Sequence, residues 1–537
     1  MEQFDYIVVG AGSAGCVLAS RLSADPQCSV LLIEAGGSDA SLFITTPAAY
    51  SELFETRYDW GYVTEPDPQL LSRRTLMARG KVLGGSSAIN AMVYIRGHSE
   101  DFNFWQTLGC EGWAYKDVLP YFLKSEHNTR LKDDPAHGTN GELQVSDLRV
   151  QNPLSNLFVA AACNAGLPAN DDFNNALGDS EQYGAGFFQV TQATGRRCSS
   201  AHAFLRPILH RPNLTLWTHT QVNRLIMFGN SVTGIECSRK RLWGRRAQRV
   251  YARYETILCA GAINSPAILQ HSGIADASQL AQVGIDCVVD LPGVGQALQD
   301  HTMTPILLAE KDTHFSYDRL RSLYYKAFVG LQYILTHSGP ASSNGAEAGA
   351  FDIVNNSSQR PDVQYTFLPA GLIDAGRGAP EQPSMTIAIS LLQPKSRGQV
   401  KLRSKDVAIA PQITMNYFQE DEDLQVVLAA VERVKAIINA APLRDSISEA
   451  SLRYFNTADN AELVHYIKRV TQTQYHPVGT CKMGQTQQAV VDSKLRVHGV
   501  NNLRIADAAI MPRIISGNTN ATCVMIGERA ADFIINA

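Results

Sequence analysis

The chain has 537 residues, 45% hydrophobic and 18% charged, with 47 basic against 51 acidic side chains and a formal net charge of −4. This is the length and balance of a folded protein of about two to four domains, and it excludes a mainly disordered or fibrous chain. A field so weak and slightly acidic also excludes non-specific nucleic-acid binding, which draws its affinity from phosphate neutralisation.

In chain order, Glu2 and Asp5 stand where a secretory leader needs positive charge, so a cytoplasmic protein is expected. Residues 4–10 (FDYIVVG) read as a buried strand ending at glycine. Gly10, Gly12 and Gly15 then set a G-x-G-x-x-G pattern at the head of a helical stretch that takes in Ser13 and Ala14. A second strand, SVLLIEAG, carries Glu34, nineteen positions after Gly15, and then Ala35. The three glycines do different things: Gly10 makes the tight turn, Gly12 lets backbone approach a pyrophosphate, and Gly15 lets helix and strand pack closely. The helix N-terminus offers free N–H groups to the diphosphate. Glu34 is placed to accept ribose hydroxyls and to repel a 2′-phosphate. NAD and FAD suit this unit equally.

Residues 79–97 (RGKVLGGSSAINAMVYIRG) hold a small-residue loop, Gly84, Gly85, Ser86 and Ser87, followed by an apolar tail. Small side chains admit a flat ligand close to the backbone, and the tail can lie against it. The segment 320–339 (LRSLYYKAFVGLQYILTHSG) reads as a helix rich in aromatic and aliphatic residues, able either to lie on a membrane surface or to cover an active-site entrance. Glu347 reads as an exposed or ion-paired glutamate, the other reading being a pocket carboxylate that would favour a quaternary ammonium substrate. Runs such as VQYTFLPA, SMTIAISLLQP and GQVKLRS read as strands of an antiparallel sheet with one covered face, and 424–441 as an amphipathic helix. The 10 cysteines lie singly, as small hydrophobes do in a reducing compartment, and no metal site is expected. Near the end, His476 in YHPVGTCKMG precedes proline, which disfavours helical geometry there. Asn520 opens a segment with helical periodicity, so it faces outward from a helix N-terminus.

Taken together these motifs resemble the glucose–methanol–choline (GMC) flavoprotein oxidoreductases. Residues 80–97 look like the family's first signature and 261–274 (GAINSPAILQHSGI) like its second, with GWAYKDVLPYF, HGTNGELQVSD, RPNLTLWTHTQVNRL and LPGVGQALQDH between and around them. Within the family the chain looks most like bacterial aliphatic alcohol dehydrogenases, then choline dehydrogenases. The resemblance implies an α/β fold, with a Rossmann-like FAD-binding domain assembled from discontinuous segments (1–155, 193–309 and 470–537). An α+β substrate domain with an antiparallel sheet (156–192 and 310–469) completes it. It implies FAD held non-covalently, because Ile89 stands where some members attach the flavin through histidine. Beyond the glycine motif and Glu34, it places Asn90, Ala91, Met92 and Val93 along the flavin ring and the Val222 backbone at the adenine. Ala260, Gly261, Asp507, Ala508, Asn518 and Thr519 are assigned to the rest of the cofactor. His476 becomes the base that takes the alcohol's proton while flavin N5 takes the hydride, with Asn520 orienting the oxygen. The implied reaction oxidises a primary alcohol to the aldehyde, with a quinone or other respiratory carrier as acceptor. Choline is the alternative substrate, and oxygen use or lyase chemistry the remoter ones. Peripheral association with the inner face of the cytoplasmic membrane follows if the 320–339 helix docks there.

Overall fold

The computed structural model describes residues 2–175, 182–240, 244–311, 314–355, 358–373, 378 and 380–536. The strand Gln3–Val9, the helix Ser13–Leu22 and the strand Val30–Ile33 form the expected β-α-β unit. Both strands are parallel neighbours in a seven-stranded sheet whose order is 214–217, 30–33, 3–9, 245–258, 231–240 and 220–228. A last short strand, Leu503–Ile505, adds in parallel to the end of Arg245–Leu258. The sheet therefore draws on the beginning, middle and end of the chain, as a discontinuous nucleotide-binding domain requires.

The C-terminal helix Asn520–Ile535 closes this domain by lying on the helix Ser13–Leu22. Gly527 makes the approach feasible, because a Cβ there would stand 2.8 Å from the Ala14 carbonyl oxygen. The next residue, Glu528, fully buried, receives Arg21 at 2.6 Å and Lys124 at 2.9 Å.

The second layer is a six-stranded antiparallel sheet in the order 472–473, 302–309, 384–391, 363–368, 348–352 and 184–187. Three expectations change here. Strands Val363–Leu368 and Ser384–Leu391 are buried along their whole length, so both faces are covered and not one. The helices Pro153–Asn164 and Asp421–Asn439 cover the outer face, with Phe158 stacked on Phe367 at 4.8 Å between ring centroids. The inner face is the wall of a cavity shared with the nucleotide sheet. The strand Thr302–Ala309, grouped by sequence with the nucleotide segments, pairs along its length with Ser384–Leu391. Its near-continuous burial suits a strand inside this sheet. The run GQVKLRS forms instead a separate two-stranded ribbon with Gln412–Thr414.

Candidate active site

A cavity of about 780 Å³ runs between the two sheets. One end is a cradle of backbone. Gly10 has φ +103°, and a Cβ there would stand 2.5 Å from the Cys259 carbonyl oxygen; at Gly15 it would meet the Gly10 oxygen at 1.9 Å. Gly85, from the second glycine cluster, crosses so near that its Cβ would lie 2.7 Å from the Gly12 Cα. The two clusters are thus one structure, tied by the Gly84 N–H donating to the Ala11 carbonyl at 2.8 Å. Of the residues anticipated at the site, all line the cavity except Gly15, Gly84 and Ser87, which pack the cradle from behind, and Glu347, which lies outside it.

Three helices begin at this wall, through Ser13, Gly261 and Asn520. The N–H groups of their first turns give that end a positive potential suited to phosphate and to a ligand that gains electrons. Glu34 closes the second strand, its carboxylate accepting the N–H groups of Ala11 (3.1 Å) and Gly36 (2.8 Å). Burial pushes its pKa up to about 7, against the pull of those N–H groups. Asp507 accepts from Gly261 N–H at 2.8 Å, Ser265 hydroxyl at 2.6 Å and Ala509 N–H at 2.8 Å, so its carboxylate caps the helix Gly261–His271 from the cavity edge. Val222 sits on the wall with 8% of its surface exposed.

Asn90 to Val93 line the cavity in a fixed bend. Met92 takes φ +60°, and its N–H donates to Asn90 Oδ1 at 3.1 Å. Arg197, buried behind them, donates to both oxygens of Asn90 at 2.6 and 2.7 Å. Ile89 also reaches the wall, and no histidine occurs from 79 to 97.

His476 stands at the other end on a heavily pinned loop. Its own N–H donates to Asp300 Oδ1 at 2.7 Å, and the Arg79 guanidinium donates to the Tyr475 carbonyl at 2.7 Å. Tyr475 adopts φ +65°, an uncommon conformation for a tyrosine that these anchors hold in place. The His476 pKa is lowered well below the ordinary 6.5, first by burial, then by His301 and Arg79, so the ring is neutral at pH 7.

The amide facing His476 is that of Asn518, with Nδ2 at 3.3 Å from Nε2. Asn518 Oδ1 in turn accepts from Gln364 Nε2 at 3.4 Å. Asn520, expected in this place, instead accepts the Ser13 hydroxyl on its Oδ1 at 2.7 Å. It lines the cavity but ties two helix starts together. His301, Asp300, Arg79 and Arg197 had no role in the sequence reading; for His301 the signal was the segment LPGVGQALQDH, which ends on it.

Glu347 is not a pocket carboxylate. It is fully buried, and its two oxygens accept Asn152 N–H and the hydroxyls of Ser155, Tyr317 and Ser343 at 2.6–2.7 Å. Among the described residues the cavity wall holds two carboxylates, Glu34 and Asp507, both committed to the bonds above. Beside His476 the wall is aromatic, with Phe54 packed on Tyr475 at 5.4 Å between ring centroids and Tyr50 on Phe54, and the cavity is also lined by Val93 and by the apolar cluster of Met303, Leu368 and Ala388.

Residues 4–303 match the N-terminal family model for GMC oxidoreductases, and residues 394–527 match its C-terminal counterpart. An alcohol dehydrogenase (acceptor) of Pseudomonas putida is 40% identical over 99% of this chain and 96% of its own. An oxygen-dependent choline dehydrogenase of Sinorhizobium fredii is also 40% identical, over the same shares. Among solved structures, pyridoxine 4-oxidase from Mesorbium loti superposes with a TM-score of 0.88 at 31% identity, covering 99% of both chains. A formate oxidase gives 0.91 at 26% identity, covering 100% of this chain and 98% of the other.

Proposed function

The chain belongs to the GMC oxidoreductases, a family that binds FAD, and from that premise we propose that it oxidises a primary aliphatic alcohol to the aldehyde and hands the electrons to a quinone or other respiratory acceptor. The residues present fit the cofactor. The crossed glycines leave room that side chains would fill, the three helix starts suit its phosphates, and Glu34 suits a ribose. Bound FAD supplies the acceptor for the carbon-bound hydrogen. Ile89 cannot form a bond to it, so we assign non-covalent binding, within the nucleotide unit built on the seven-stranded sheet.

The observation that carries the proposal is a neutral imidazole, His476, opposite an amide at the apolar end of the cavity. Nε2 accepts the hydroxyl proton, a contribution typically worth ~10²–10⁴-fold. Asn518 donates to the same oxygen and fixes its direction. The absence of an uncommitted carboxylate on the described wall supports an aliphatic chain over a quaternary ammonium. The aromatic faces of Tyr50, Phe54, Trp60 and Tyr62 on that wall favour choline as the second reading.

The test is to mix the protein anaerobically with butanol, decanol and choline in turn and follow the flavin absorbance. Faster bleaching by the alkanols supports the proposal, faster bleaching by choline replaces the substrate, and no bleaching by any refutes alcohol oxidation. Admitting air or a quinone afterwards identifies the acceptor.

We also propose that the helix Leu323–Thr336 rests on a lipid surface. No helix among the described residues is long and apolar enough to cross a membrane. This one nonetheless exposes Leu323, Tyr324, Phe328, Leu331 and Leu335 to between 58% and 90%, carries no acidic residue, and packs beside Thr45, next to the exposed Leu42 and Phe43. Flotation with anionic liposomes, lost in Phe328→Ser with Leu331→Ser, is the expected result; a wild-type protein that stays at the bottom of the gradient refutes it.

A further inference from the structure

Behind His476 lies a second imidazole. His301 has no exposed surface, and its Nδ1 stands 3.0 Å from His476 Nδ1, with the rings crossed at 88°. Among the described residues, neither ring is hydrogen-bonded to a carboxylate. Asp300, one residue before, spends Oδ1 on the His476 backbone N–H and Oδ2 on the hydroxyls of Tyr417 and Thr473. A base is ordinarily oriented by a carboxylate or carbonyl accepting from its second nitrogen; here an imidazole occupies that place.

Two nitrogens at 3.0 Å need one proton between them. Burial holds both rings neutral at pH 7, with His301 lowered to about 4. Each ring therefore carries a single proton, and the pair has two arrangements. If His301 Nδ1 is the donor, the His476 proton sits on Nε2 and the ring cannot accept from an alcohol. If His476 Nδ1 is the donor, Nε2 presents its lone pair to the cavity. The Asn518 amide N–H directed at Nε2 selects the second arrangement, in which the His301 proton rests on its buried Nε2, an atom with no hydrogen-bond partner among the described residues.

We propose that His301 is a positioning residue that holds His476 in the Nδ1–H tautomer by accepting its proton, and thereby keeps Nε2 available as the base. This rests on the alcohol-oxidising role proposed above. When the substrate O–H bond breaks and the Nε2–H bond forms, His476 becomes an imidazolium whose Nδ1–H still donates to His301. No proton leaves the pair in that step, and the positive charge is shared through one hydrogen bond instead of being left in an apolar wall. The hydrogen on carbon departs with its electron pair to the bound FAD.

The test uses the FAD-loaded enzyme with ¹⁵N-labelled histidine, the His476 signals being identified by their loss in His476→Ala. The wild type is expected to show an unprotonated Nε2 and a protonated Nδ1 at residue 476. His301→Leu should move that proton to Nε2 and slow anaerobic flavin reduction by about 10–100-fold, with the alcohol Kd within about twofold of wild type. His301→Asn, whose Oδ1 can stand where Nδ1 was, should restore both signals. A wild-type His476 already protonated on Nε2 overturns the proposal, as does His301→Leu reducing at the wild-type rate, or leucine and asparagine variants that behave alike. The two readings fail separately: if no alcohol bleaches the wild type, the substrate assignment falls while the tautomer measurement still decides the role of His301.

Discussion

Two asparagines stand two residues apart at the cavity, and the structure gives them different work. Asn518 Nδ2 lies 3.3 Å from the nitrogen that takes the proton, so a substrate hydroxyl seated on His476 Nε2 is also within reach of that amide. Removing a donor aimed at an oxygen that gains negative charge typically costs ~2.7–4 kcal/mol, or about 10²–10³ in rate. The contact here is at the long end of hydrogen-bonding range, so Asn518→Ala should lose close to ~10² in the reduction rate constant. Asn520 accepts one bond from Ser13, at 2.7 Å, between two neutral groups. Such a bond is worth ~0.5–1.5 kcal/mol of stability. Asn520→Ala should therefore melt a few degrees lower and hold FAD less well, yet reduce within about fivefold of wild type once loaded. Stopped-flow reduction of the loaded variants by a saturating alkanol, alongside thermal melts, separates the two. A larger rate loss in Asn520→Ala than in Asn518→Ala would refute this division of roles.

His476→Ala should keep FAD bound and lose about 10²–10⁴ in flavin reduction; an unchanged rate in the same assay removes the base assignment. Because burial, His301 and Arg79 hold the His476 pKa below 6.5, its neutral form persists as pH falls, and kcat/KM should stay level down to that pH and decline only below it. A pH profile already falling between 8 and 7 contradicts this. Gly12→Ala should fold normally, since its Cβ would meet nothing nearer than the Cys259 oxygen at 3.8 Å, and yet purify with little FAD. Gly15→Ala should fail to fold well, because its Cβ would fall 1.9 Å from the Gly10 oxygen; circular dichroism and flavin content of the pair check both. Glu126, fully buried, is pushed up by that burial, but Arg96 and His137 outweigh it and hold the pKa down to about 2. A depressed carboxylate stabilises the fold above its unfolded value near 4.5 and loses that contribution as pH falls towards 2. Melting temperatures between pH 5 and 3 should accordingly fall less steeply in Glu126→Gln, and parallel curves would contradict the sign.

Much of the site is local chemistry written along the chain. The β-α-β unit, the spacing from Gly10 to Gly15 and the acid at Glu34 follow from strand and helix periods that any short segment carries with it. The constrained turn at His476 is legible for the same reason, since proline restricts its neighbour wherever the segment lies. Only the folded chain shows that Gly85 crosses Gly12, because that contact joins segments more than 70 residues apart through a sheet whose order no local period encodes. Glu347 read in sequence as an exposed or ion-paired glutamate or a pocket charge, but four donors from three separate segments draw it into the interior.

The two asparagines show the limit most closely. In an extended strand, residues two apart point to the same side, so sequence offers no ground for choosing between them. Here the helix begins at Asn520, and its side chain turns to Ser13, while Asn518 stays on the preceding loop facing His476. Where that helix starts is set by its packing on the helix Ser13–Leu22, some 500 residues earlier in the chain, and the same packing decides which amide meets the base.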